Sequence, residues 1–215
     1  MAVLDSGAHF LPRPVRLTAP ALAALAALGV GVAGLVLNRF GDHALGLATQ
    51  LVWRFNCLLF FAALMAGPLG RLITPLHMLA DKSRPLLQGF CAAMGVYFAF
   101  ILLPNLFAVP DGVRPSGITA GMTMFVFFTG SVTLVMAASV NNSLCDKVGP
   151  KACRTMLGVA TIFFWLCYSL IALSHISGPH RPDYFYELSL ILMLTGLFAR
   201  FADHFFESRN PIAAV

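Results

Sequence analysis

The chain has 215 residues, 59% of them hydrophobic and only 11% charged, with a mean hydropathy of +0.82. Soluble domains carry about 25% charged residues, so an ordinary soluble enzyme is excluded, and little length remains for a second folded domain. The net charge of +5 does not point to nucleic acid, because the cations are spread over short segments that flank apolar stretches.

Six apolar stretches follow one another: Leu17–Leu37, Leu45–Ala66, Leu86–Leu106, Ile118–Val140, Leu157–Ser174 and Tyr184–Phe201. Each holds about 18–23 residues, and at about 1.5 Å of rise per residue each crosses a hydrocarbon core of roughly 30 Å. Lipid offers the backbone no hydrogen bonds, so each stretch is read as a helix. The expected fold is all-α, a polytopic membrane bundle of six transmembrane helices. Residues 1–16 form an N-terminal segment, 17–201 the membrane domain and 202–215 a tail. Arg13 and Arg16 precede the first stretch as in a signal peptide. That stretch is longer than a signal core and no clear cleavage site follows it, so it reads as a retained anchor.

In chain order, the first helix carries small residues at four-residue spacing, Ala23-Ala27-Gly31 and Gly29-Ala33. Such stripes let backbones approach closely, here inside the bundle in preference to a dimer face. The second contains Trp53, Arg54 and Asn56, and Gly67-Pro68 reads as its stop. Pro85 suits the first turn of the third, and Pro104-Asn105 ends it. The fourth is rich in Phe, Met and Val. A polar, basic loop from Asn141 to Arg154 leads to an aromatic fifth helix with Phe163, Phe164, Trp165 and Tyr168. The sixth is followed by the segment Phe201–Glu207, which reads as interfacial.

Ten cations share one side: Arg13, Arg16, Arg71, Lys82, Arg84, Lys147, Lys151, Arg154, Arg200 and Arg209. The other side holds Arg39, Arg114 and Arg181. The positive-inside bias then puts both termini in the cytoplasm. Cys145 and Cys153 fall on that reducing side, so a disulfide is not expected, and all five cysteines read as free thiols. His9, His77 and His204 lie on the cytoplasmic side. His43, His175 and His180 lie on the other, near Asp42 and Asp183, and read as solvated loop residues, with no strict metal-ligand spacing. No carboxylate is assigned inside any helix, which disfavours a proton pump.

Three segments resemble the ferric reductase-like transmembrane family of bacterial haem-binding membrane subunits. They are Leu51–Phe55 running to Gly67–Arg71, Ser139–Ser143 running to Gly149–Arg154, and Leu197–Phe201. The resemblance implies a bacterial inner (plasma) membrane, a redox partner and b haem held by histidines on the third and fifth helices. Here Tyr97, Phe98 and Ala99 occupy the expected region of the third helix. Leu157 and the neighbourhood of Leu170 occupy the positions on the fifth. No haem ligand carries over, Met156 has no axial counterpart, and the cofactor stays unknown. The chain reads as a haem-free redox subunit or as a non-enzymatic scaffold that packs against lipid or a protein partner; a small-molecule transporter fits less well. Arg54 is the one candidate binding residue, because it is the cation set within a span. It either snorkels to the interface or holds an anionic group in a pocket.

Overall fold

A computed structural model describes residues 18–39, 44–72, 78, 81–106, 120–177 and 183–209. Outside them lie His9, His43, His77, His180, Asp42, Arg13, Arg16, Arg114 and Arg181, with the segment 1–16. Seven helices are found among these residues: α1 (Ala19–Leu37), α2 (Ala44–Leu72), α3 (Ser83–Leu106), α4 (Ala120–Val140), α5 (Asn142–Val148), α6 (Pro150–Ile176) and α7 (Tyr184–Arg209). Five of them, α1, α2, α3, α6 and α7, are long and apolar enough to cross a membrane. In α4 the apolar stretch Met124–Val140 is shorter. The protein is thus a polytopic helical membrane bundle.

Neighbouring helices close a ring in the order α2, α3, α4, α6, α7 and back to α2, with α1 laid against α2 and α3 from outside. The ring interior is the core, built from Val52, Phe60, Phe90, Met94, Phe164 and Met193. Side chains facing lipid are equally apolar, for example Phe127, Leu134, Leu170 and Ile191. Hydrophobicity therefore does not distinguish the two faces, and packing does.

Of the two stripes on α1, Ala23-Ala27-Gly31 faces inward, whereas Gly29 and Ala33 are exposed and do not pack inside the bundle. Ala27, Gly31 and Gly34 are the buried residues of α1, while Gly29 meets nothing within 4 Å of an added Cβ. A Cβ on Gly34 would stand 2.8 Å from the Ala48 Cα, so bare glycine is what lets α1 and α2 touch there. At the far end of α1 the Asn38 N–H bonds the Gly34 carbonyl, and Arg39 turns left-handed at φ 48°.

Several helix ends differ from expectation. Pro68 does not stop α2, which runs on to Leu72. Proline removes one N–H, a loss that membrane helices tolerate when neighbours restore the pairing. Pro104 likewise lies within α3, two residues short of its end. The Asn141–Arg154 loop is not a loop. It forms the two-turn helix α5 and the start of α6, broken at Gly149, whose φ of 102° suits glycine. Pro150 follows at the first position of α6, where no N–H is needed. Past Phe201, α7 continues to Arg209.

This kink overturns the expectation of five free thiols. Cys145 on α5 and Cys153 on α6 are joined as a disulfide, with Cα atoms 5.8 Å apart, inside the range such a bridge needs. The earlier expectation rested on the compartment. It missed that the turn at Gly149 folds α5 back against α6. Cys57, Cys91 and Cys167 are free.

Candidate functional site

Arg54 belongs to α2 and is brought to the first turn of α7. Its Nη2 donates to Oδ2 of Asp183 in a short ion pair. Asp183 caps the helix: its Oδ1 accepts the Phe185 N–H at 3.1 Å, relieving one of the unpaired donors at that terminus. The guanidinium lies 5.0 Å from the Phe185 ring centre and 5.8 Å from that of Tyr186. Those rings present their negative faces to the cation. His175, at the end of α6, sets its ring edge-on to Tyr186 at 4.0 Å. Glu187 also stands in the first turn of α7, so a carboxylate does occur at a helix end, against expectation.

Sequence reasoning placed Asp183 in an outer loop beside the histidines and named no carboxylate partner for Arg54. The signal was present: an Asp directly before an apolar stretch marks a helix cap. Arg54 keeps one donor open, since its Nε is buried without an acceptor among the described residues.

Next to Arg54 begins an aromatic column through the ring. Trp53 lies 5.3 Å from Tyr97 and 4.5 Å from Tyr168, ring centre to ring centre. Tyr168 stacks on Phe60 at 5.5 Å, Phe60 meets Phe90 at 5.1 Å, and Phe90 meets the edge of Phe164 at 5.0 Å. These separations are those of packed aromatic pairs. The indole N–H of Trp165, on the flank of the column, donates to the Met193 carbonyl at 2.9 Å and so ties α6 to α7. The column occupies the middle of the bundle.

The residues do not fit a b haem. Axial ligation needs two imidazoles converging on one iron. Of the three positions at issue, Tyr97 packs on Trp53 in the column, while Leu170 is 61% exposed on the lipid face and Leu157 is only partly buried. None of the three is an imidazole, and Leu170 faces away from the core. Met156, on the surface, is 44% exposed. Among the described residues no three His, Cys, Asp or Glu side chains gather as a metal site would need.

Polar groups inside the ring are mostly self-contained. Thr129, Thr133, Ser139 and Thr161 each bond a carbonyl one turn back in their own helix. Asn56, fully buried, donates to the Ala93 carbonyl at 3.3 Å, and its Oδ1 has no donor among the described residues. Among the described residues the hydroxyls thus spend their donors within their own helices.

On the outer face, a groove of about 680 Å³ runs between α3 and α4, with Pro20 of α1 also in its wall. Gln88 and Asn141 lie at one end, Phe98 and Gly130 at the other, and Gly95 forms part of the floor. Comparison with protein-family models, curated proteins and solved structures returns no match.

Proposed function

We propose that the chain is a haem-free membrane subunit of the ferric reductase-like type, acting as a scaffold for a protein partner in the membrane. The observation that carries this reading is the aromatic column. Rings from α2, α3 and α6 fill the centre of the bundle and pack at contact distance. Such packing locks α2, α3 and α6 together, which supports a structural contribution to a redox assembly. Transport is disfavoured by the self-satisfied hydroxyls of the interior.

Protein purified from cells supplied with haem should lack a reducible Soret band and α band. One haem per chain with a bis-imidazole spectrum would overturn the proposal.

The location that goes with this reading is a bacterial inner membrane, with both termini cytoplasmic. Its support is the ten-to-three division of cations. A reporter fused after Val215 should give a cytoplasmic signal, and one inserted at Ser116 a periplasmic signal. The reverse pattern would invert the topology. It would also set the Cys145–Cys153 bridge on the oxidising side.

A further inference from the structure

The groove between α3 and α4 has a polarity gradient along its length. On α3 the residues Gln88, Cys91, Gly95 and Phe98 recur at helical spacing and form one stripe. On α4 the antiparallel stripe is Gly130, Leu134 and Ala137, continued by Asn141 just past the helix end. The two stripes meet end to end. Gln88 Nε2 donates to the Val140 carbonyl at 3.5 Å, which places Gln88 beside the residue just before Asn141.

The amide pair closes one end and the Phe98 ring closes the other. Ten residues of helix separate them, or about 15 Å, roughly half of a 30 Å hydrocarbon core. The groove opens outward, since Gly95 is exposed and Leu134 is 73% exposed. Its depth comes from missing side chains. A Cβ on Gly95 would meet nothing within 4 Å, and one on Gly130 would only touch Phe98 at 3.9 Å.

One turn beyond Gln88, toward the membrane surface, the same α3 stripe reaches Arg84. Four residues place Arg84 within about 40° of Gln88 around the helix. Arg84 is exposed and has no ion-pair partner among the described residues. Among the described side chains, the other charged groups at this end of the bundle are Asp81 and Lys82 on the approach to α3, Asp146 and Lys147 on α5, Lys151 and Arg154 on α6, and Arg200 on α7. With Arg84 they sum to a cationic field.

We infer that the α3–α4 groove is a binding site for one anionic phospholipid of the leaflet at the Arg84 end. One acyl chain lies along the stripe from Cys91 to Phe98, over Gly95. The ester region meets the amides of Gln88 and Asn141, and the phosphate pairs with Arg84. Charge complementarity decides the occupant. An apolar slot one leaflet long, a hydrogen-bonding collar and a cation at the membrane surface match the three parts of such a lipid in order. Basic side chains beside a cleft between membrane helices are the usual means of holding anionic headgroups.

The test uses the full chain in detergent, exchanged into mixed micelles with equal amounts of phosphatidylglycerol and phosphatidylcholine, followed by native mass spectrometry. The unaltered protein should keep one phospholipid, with phosphatidylglycerol favoured about fivefold, the effect of about one basic side chain at the surface. Gly95→Leu should cut retention about tenfold, while Gly158→Leu on α6, equally open by the Cβ criterion, should leave it unchanged. Arg84→Gln should keep the lipid and abolish the headgroup preference. If Gly95→Leu does not fold, Ala137→Phe fills the same groove from an exposed position on α4. Retention unchanged by either filling variant, or a preference untouched by Arg84→Gln, would overturn the assignment. So would finding an isoprenoid quinone, or a second copy of the chain, as the occupant that Gly95→Leu displaces.

Discussion

Gly34→Val should destabilise the bundle by about 1–3 kcal/mol or more, the range for forcing extra atoms into a packed contact. A Cβ at Gly34 would lie 2.8 Å from the Ala48 Cα and 3.1 Å from the Ala48 N. Both are backbone atoms, which cannot rotate aside as a side-chain tip can. The only relief is to move α1 away from α2, which also loosens its contact with α3. Inside lipid that contact rests on close van der Waals approach and has no hydrophobic drive to restore it. Thermal unfolding in detergent, followed by loss of helical signal or by aggregation, should show a midpoint lowered by several degrees. Gly29→Val is the matched control. It lies on the same helix with nothing within 4 Å, and it should stay within about 0.5 kcal/mol of the parent, as for other surface changes. Equal effects at the two positions would mean that α1 does not pack through the face seen here.

Arg54→Gln should cost about 1.5–3 kcal/mol, the usual contribution of a hydrogen bond to a charged group. The change removes the ion pair with Asp183 and leaves a half-buried carboxylate at the α7 terminus with only its capping bond. Arg54→Lys should keep most of the stability. The contact to Asp183 runs through a single guanidinium nitrogen, so an ammonium on a flexible stem can replace it. Asp183→Asn should lose the pair yet keep much of the cap, because asparagine also caps helices well. Combining Arg54→Gln with Asp183→Asn should then cost less than the sum of the single changes, and a double-mutant cycle reads the coupling directly. An additive result would remove the pair from the list of forces holding α2 to α7. The anion-pocket role for Arg54 predicts a further split. Its Nε is buried without an acceptor among the described residues, so a planar anion could use that N–H. Lysine would then preserve the fold and lose the ligand.

The fold class was legible from apolar length alone. Stretches of about 20 residues without charges have one stable form in lipid, and that rule holds without reference to neighbours. All six expected stretches coincide with helices, and the small stripe of Ala27 and Gly31 on α1 faces its partners as read. Helix ends were less legible. Pro68 and Pro104 read as stops because proline breaks helices in water, and a membrane bundle carries α2 and α3 through them.

Arg54 stood out in the sequence as the cation within a span, but its pairing was decided by tertiary structure. Arg54 and Asp183 stand 129 residues apart, and a charge's partner on another helix has no local signature. The bridge of Cys145 to Cys153 depended on one backbone turn at Gly149, whereas the composition of the region spoke only of its side of the membrane. Which aromatic residues form the column was also hidden. In a chain apolar on every face, Phe127 and Phe164 look alike, yet one is 70% exposed and the other fully buried. The sequence by itself determined that the chain lives in a membrane, through the cost of unpaired backbone groups in lipid. Only packing determined what its interior holds, because lipid and protein core are equally apolar and shape alone separates them.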